Sequence, residues 1–200
     1  MYTQGRYPGS KAPYFNNTDS YATAPNINIS DCDFTIACWI RIQPGGRGVT
    51  FINSIIFWSV SATGNTLSLS LSKYVQHGGI SFVLTQMFRP LNYTNVVLAT
   101  RKITFDTWTH IAATCQGNRI RLYMNGDLQR SHRQNISYPI THDFSTGMSS
   151  DKFKTYYIGK DPRKEFLRSR KFYGSVMDLH VIGVPLSSAE ISDLFHGKNG

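Results

Sequence analysis

Residues 105–126 read FDTWTHIAATCQGNRIRLYMNG: two runs of strand-forming residues divided by the tight turn Gln116-Gly117-Asn118. In the second run Ile120, Leu122 and Met124 share one face, while Arg119, Arg121 and Tyr123 share the other, because side chains alternate along an extended chain. Asn125-Gly126 then supplies the pair that tolerates φ > 0 in a type I′ turn. The local reading is a β-hairpin leading into another turn, with Ile111 and Ala113 facing inward alongside Ile120, Leu122 and Met124. The same grammar extends outward. TLSLSLS (66–72) alternates strictly, and FINSIIFWSV (51–60) is apolar on both faces, which places it mid-sheet and covered on both sides. Turn signals outline strands near 12–16, 20–24, 33–42, 50–60, 66–72, 79–88, 95–100, 108–115, 118–125, 127–132, 154–159 and 171–184, the spacing of a sandwich or barrel. Helix is scarce. In SSAEISDLF, Ser187 and Glu190 form a capping box, Ile191, Leu194 and Phe195 give one apolar stripe, and Gly197 stops the helix. With no linker and no internal repeat, one domain over 1–200 is expected, its core spanning about 12–197.

Charged residues make up only 16% of the 200 residues, and aromatics 13%, a balance that suits turn-rich β architecture. No apolar run is long enough to span a bilayer, so no membrane insertion by this segment is expected. The first residues, MYTQGRYPGSKAPYF, are polar and broken by proline and do not read as a secretory leader; the chain is expected to be an excised or mature segment. N-x-[ST] sequons at Asn16, Asn28, Asn92 and Asn135 are candidate glycosylation sites. Together with three cysteines they favour an extracellular setting, secreted or as an ectodomain.

The net charge of +9 is unevenly spread. Residues 152–171 hold Lys152, Lys154, Lys160, Arg163, Lys164, Arg168, Arg170 and Lys171 against two acids. Such a cluster implies an anionic partner or a solvated basic loop. Arginine forks suit sulfate and carboxylate oxygens, so a heparan-like chain is the expected polyanion. Phe153, Tyr156, Tyr157, Phe166 and Phe172 interleave with the cations as base-stacking residues would. No nucleic-acid-binding fold signature accompanies them, and Tyr157 and Phe172 read as core; a nucleic-acid partner is not expected.

The order of Y-F-N-N-T-D-S-Y-A-T-A-P (14–25), F-T-I-A-C-W-I-R (34–41), the Trp108–Gly126 hairpin, Y-I-G-K (157–160) and F-Y-G-S-V-M-D-L-H-V-I-G-V-P-L-S-S-A-E-I (172–191) resembles the concanavalin A-like jelly roll of laminin G-like and pentraxin-like domains. The resemblance covers about Ala12 to Gly197. It implies an all-β, two-sheet antiparallel jelly-roll sandwich with one short C-terminal helix. Trp108 is then expected as an anchor at the end of the sandwich core, and Phe172 and Gly174 on a strand passing close to another backbone.

Some members of this fold are glucanases, which need paired carboxylates. Here there are two glutamates, Glu165 and Glu190, and ten scattered aspartates, with only Asp31 and Asp33 at strand spacing. No enzyme activity and no catalytic residue are expected. The six histidines show no zinc-ligand spacing. Many relatives bind Ca²⁺ at a rim, but residues 133–153 offer only Asp143 and Asp151, and Met177 stands where an acid is common, leaving Asp178. No cofactor is expected, with calcium at the rim as the alternative, and no metal ligand is assigned. Pentraxins join two neighbouring strands with cysteines that would fall at Ala37 and Ala112. Carried onto this chain, the resemblance puts Cys32 one diagonal step from Cys115 and Cys38 too far from it. A Cys32–Cys115 disulfide with Cys38 as a buried thiol is therefore expected, the alternative being three reduced cysteines.

The work that the resemblance implies is recognition: a non-catalytic module binding an anionic glycan, a glycosaminoglycan above all, or a cell-surface or matrix protein. A structural or oligomerisation role in a larger adhesion protein or receptor is the alternative. Beside the basic cluster, Arg119, Arg121 and Tyr123, with Asp178 and His180 of the last strand, form a second candidate glycan face.

Overall fold

A computed structural model describes residues 1–16, 20–24, 33–44, 54–60, 66–74, 79–88, 93–117, 119–133, 156–160 and 172–198. Among the described residues thirteen strands form two antiparallel sheets. β1 (Tyr2–Gln4), β2 (Lys11–Phe15), β13 (Gly174–Ile182), β4 (Phe34–Ile42), β9 (Thr109–Gln116), β10 (Arg119–Met124) and β11 (Asp127–Arg133) lie in that order across a seven-stranded sheet. β3 (Ala22–Ala24), β12 (Tyr156–Ile158), β5 (Ser54–Val60), β6 (Thr66–Tyr74), β7 (Gly79–Phe88) and β8 (Tyr93–Leu98) make a six-stranded one. This is the two-sheet antiparallel sandwich that the resemblance implied, one of the two architectures, sandwich or barrel, that the alternation allowed.

The core between the sheets follows the period-two pattern. From the seven-stranded sheet, Phe34, Ile36, Cys38, Ile40 and Ile42 meet Ile111, Ala113, Ile120, Leu122 and Met124. Ile56, Phe57, Leu67, Leu69, Leu71, Phe82 and Leu84 face them from the six-stranded sheet. Each large side chain buried this way gains about 1.5–3 kcal/mol over leaving it in water. β5 does lie inside its sheet, paired to β12 and β6. Asn125 and Gly126 take φ of 52° and 82°, the turn their sequence demanded. β1 was not legible. It is short and polar, and its tie to the sheet is the register Thr3↔Ala12.

The helix α1 (Ser188–His196) carries both halves of its capping box: Ser187 Oγ accepts from the Glu190 backbone N–H, and the Ser187 N–H donates to the Glu190 carboxylate at 2.7 Å. That second bond holds the Glu190 carboxyl below its ordinary pKa. Gly197, at φ 69°, ends the helix in the left-handed conformation. α1 lies on the outer face of the seven-stranded sheet. Ala37 and Ala112 stand directly opposite one another there, and these two small residues leave a trough that Ile191 fills, with Leu186 and Leu194 beside it.

Candidate functional site

The helix corrects one expectation. Tyr123 does point to the outer face, but it is fully buried beneath α1 with Ala37, Ala112 and Ile191, and its hydroxyl meets Ser188 Oγ at 3.1 Å. Arg119 is exposed and Arg121 half-buried, its Nη1 donating to Gln116 Oε1 at 3.5 Å. Asp178 is exposed, and His180 half-buried, on β13. Two strands, β4 and β9, separate β13 from β10, so about 14 Å of sheet divides these residues from Tyr123. They do not converge into one groove, because the strip between them holds the helix.

Under the helix lies a second knot of aromatics. The Arg6 guanidinium sits 3.6 Å from the Trp39 ring centroid and donates to the Phe195 carbonyl at 3.4 Å. Phe195 stacks on Trp39 at 5.5 Å, and His110 lies 5.2 Å from Trp39. Burial, followed by the fields of His180 and Arg6, lowers the His110 pKa to about 4. Met177, where an acid is common in relatives, accepts a hydrogen bond from the Arg6 N–H through its sulfur. Among the described residues no three of His, Cys, Asp and Glu gather as a metal site would require.

Of the basic cluster, Lys160 is the member that falls within the described residues. Its Nζ stands 4.3 Å from the centroid of the Tyr21 ring, which is half exposed at 48%. Tyr157 lies 6.2 Å from Tyr21, tilted by 36°. The core tyrosine is Tyr156, which stacks on Phe57 at 5.1 Å; Tyr157, expected inside, has the opposite parity and is only half-buried. The register places Tyr157 between Thr23 and Trp58. Two phenols and an ammonium thus form a plate at one side of the six-stranded sheet's outer face. Lys152, Lys154, Arg163, Lys164, Arg168, Arg170 and Lys171 lie outside the described residues, as do Asn28, Asn92 and Asn135. Asn16 is half-buried, with its side-chain nitrogen 3.6 Å from the Met1 sulfur.

A further row went unread in the sequence. Tyr14, Ser175 and Arg41 stand in register across β2, β13 and β4, and Trp108, one residue before β9, continues the row beyond the Ile40↔Thr109 pair. Trp108 is therefore not the core anchor expected of it. It is half-buried on the outer face, with the Arg41 guanidinium 5.2 Å from its ring centroid. The available signal was Arg41 itself, the one charge in the strand FTIACWIRI.

The cysteines divide. Cys38 lies wholly in the core, where burial drives its thiol pKa far up. Cys115 faces Phe34 across the β4–β9 pair, as the resemblance implied for these strands, and its Sγ donates to the Gly117 carbonyl at 3.6 Å. Among the described residues there is no disulfide; Cys32 lies outside them.

Comparison with known proteins agrees with this architecture. The family model of the concanavalin A-like lectin/glucanases superfamily, laminin G type, matches residues 16–192. Domain 4 of AbnA, a GH43 extracellular arabinanase from Geobacillus stearothermophilus solved with arabinotriose, is similar with a TM-score of 0.65 at 18% identity, over 96% of this chain and 79% of that one. The heptameric SAP-like pentraxin of Limulus polyphemus gives 0.62 at 16% identity, over 91% and 80%. The CBM40 of the Ruminococcus gnavus IT-sialidase, bound to α2,3-sialyllactose, gives 0.58 at 13%, over 87% and 97%. Among curated proteins none matches in sequence. With a family match over nearly its whole length and a two-sheet sandwich to go with it, the chain belongs to the concanavalin A-like lectin/glucanase superfamily as a laminin G-like domain.

Proposed function

We propose that this chain is a non-catalytic recognition module for an anionic glycan, working in an extracellular setting. The observation that carries the reading is the plate of Tyr21, Tyr157 and Lys160. A sugar ring presents C–H faces that lie well against a phenol, and its sulfate or carboxylate oxygens are met by the ammonium. In sequence, Lys160 is followed by Arg163, Lys164, Arg168, Arg170 and Lys171, a run of cations that suits a polyanionic partner. The solved complexes of similar domains with arabinotriose and sialyllactose support a carbohydrate as the partner class. The acids support the non-catalytic part of the reading: of two glutamates one caps a helix, and of ten aspartates only Asp31 and Asp33 stand at strand spacing.

Heparin affinity chromatography tests the reading. The protein should bind and elute with salt, as a counterion-dependent contact must. Tyr21→Ala and Lys160→Ala should each elute at clearly lower salt while keeping the melting temperature. Retention that ignores both substitutions would remove the plate from the site. A protein that passes heparin unretained would leave the structural or protein-partner role in its stead.

A further inference from the structure

His110 is a titratable group buried with nothing to satisfy it. It is 2% exposed and its Nδ1 has no hydrogen-bond partner, although buried polar side-chain atoms nearly always find one. What closes over it comes from the two ends of the chain. Trp39 lies beside it on β4, 5.2 Å between ring centroids, and Phe195 of α1 stands 6.1 Å away. Phe195 in turn stacks on Trp39 at 5.5 Å. Arg6, from the turn after β1, lies over the Trp39 ring and ties these pieces together: its Nη2 donates to the Phe195 carbonyl at 3.4 Å and its Nη1 to the Tyr7 hydroxyl at 2.7 Å.

The charges that act on this imidazole are of one sign. Arg6 and, on β13, His180 both oppose a proton on it, in addition to its burial, and together they lower its pKa from 6.5 to about 4. Tyr7 and Tyr123 add only phenol groups, and His196 sits edge-on to Phe195 at 4.8 Å. The acids of the surrounding elements, Asp178 on β13 and Glu190 and Asp193 on α1, are exposed, and none forms an ion pair among the described residues. A proton on the closed ring would therefore lie out of water beside a guanidinium, with no counter-charge. To accept one, the ring must first reach water. Separating the strands is the costly way, since β9 pairs with β4 at Trp39↔His110 and the His110 backbone exchanges two bonds with Asn125. Lifting the helix is the cheaper way, because nine residues do not hold a helix unaided. We propose that α1 and the Arg6 turn are an acid-released cover: protonation of His110 lifts both from β4 and β9, baring Trp39, Ala37, Ala112 and Tyr123 while the two sheets stay paired. In the open state the imidazole regains its ordinary proton affinity, so the opening equilibrium rises about tenfold per pH unit as pH falls from 6.5 towards about 4. The cover lies on the other sheet from the Tyr21–Tyr157–Lys160 plate and does not depend on the glycan reading.

Native-state amide hydrogen exchange of the full chain, read by mass spectrometry over a series of pH values and corrected for the intrinsic exchange rate, tests it. Amides of residues 188–196 and 6–10 should exchange faster than those of β4 and β9, and their rate should rise about tenfold per pH unit below 6.5. In dilute urea that rate should stay nearly constant, as a local opening exposes little surface, whereas the sheet amides should follow urea as global unfolding does. In H110Q the pH response of both segments should vanish. R6M removes the tie and leaves His110 in place, so it should speed exchange of 188–196 at neutral pH by at least about fivefold. Helix amides that track the urea dependence of the sheet overturn the cover, since the opening would then be global. So does a helix rate that ignores pH, or a folded H110Q that responds to pH as the parent does. Should H110Q fail to fold, R6M decides: helix exchange unchanged at neutral pH refutes the tie and with it the proposal.

Discussion

Single residues decide how closely the backbones in this sandwich approach. Gly174 opens β13 with φ 146°, and a Cβ placed there would lie 2.3 Å from the Arg41 carbonyl oxygen and 3.0 Å from the Ile42 Cα. Both obstacles are backbone, so neither can rotate away. Gly174→Ala should therefore destabilise the fold by about 2–3 kcal/mol, counting conformational strain and displacement together. A lowered urea midpoint with unchanged slope checks this; a midpoint within error of the parent's refutes it. The close approach was legible from the F-x-G pattern. The parity of Tyr156 and Tyr157 was not. In Y-Y-I both tyrosines are equally apolar, and only the register against Ala24 and Thr23 settles which one turns inward.

At the scale of elements, the C-terminal helix shows local signals and tertiary contacts agreeing. Nine residues are too few for a stable helix in isolation, so α1 depends on its caps and on the face that it buries. Ser187→Ala removes the side-chain acceptor and should cost about 1 kcal/mol. Ile191→Ala empties the space over Ala37 and Ala112 and should cost about 2–5 kcal/mol. Near-ultraviolet circular dichroism should show Ile191→Ala loosening the aromatic environment of Tyr123 and Trp39 more than Ser187→Ala does; equal spectra would mean the helix does not depend on this contact. The caps, the stripe and the stop were all readable at 187–197. That the stripe would land on Tyr123, removing it from a supposed ligand face, was not, since a pattern specifies that a face is buried but not against what.

For the whole molecule, the telling feature is how segments distant in sequence meet over β4 and β9. Arg6 from the first turn, Trp39, His110 and Phe195 from the helix form one layer. His110 is buried within it and its Nδ1 has no hydrogen-bond partner. Its pKa is lowered from 6.5 to about 4, chiefly by burial, with His180 and Arg6 adding to it. A depressed imidazole pKa means that the unfolded chain takes up a proton the folded chain refuses. The stability tied to neutral His110 is therefore complete above the ordinary imidazole range and drains away as pH falls from 6.5 towards about 4. The loss should reach at most roughly 3 kcal/mol. Urea denaturation at successive pH values should show this decline, and His110→Gln should flatten it; a parallel decline in the variant would assign the effect to other groups.

The sequence by itself determined the all-β architecture, twelve of the thirteen strands among the described residues in approximate place, the type I′ turn and the capped helix, because each is written in local alternation, φ preference or capping chemistry. Only the tertiary structure decided which outer surfaces remain available. It covered Tyr123 with α1, turned Trp108 out of the core, and brought Arg41, Trp108 and Ser175 into one row. The reason is physical: periodicity assigns a side chain to one of two faces, but strand order and the docking of the helix, which follow from contacts between distant segments, determine what lies on each face.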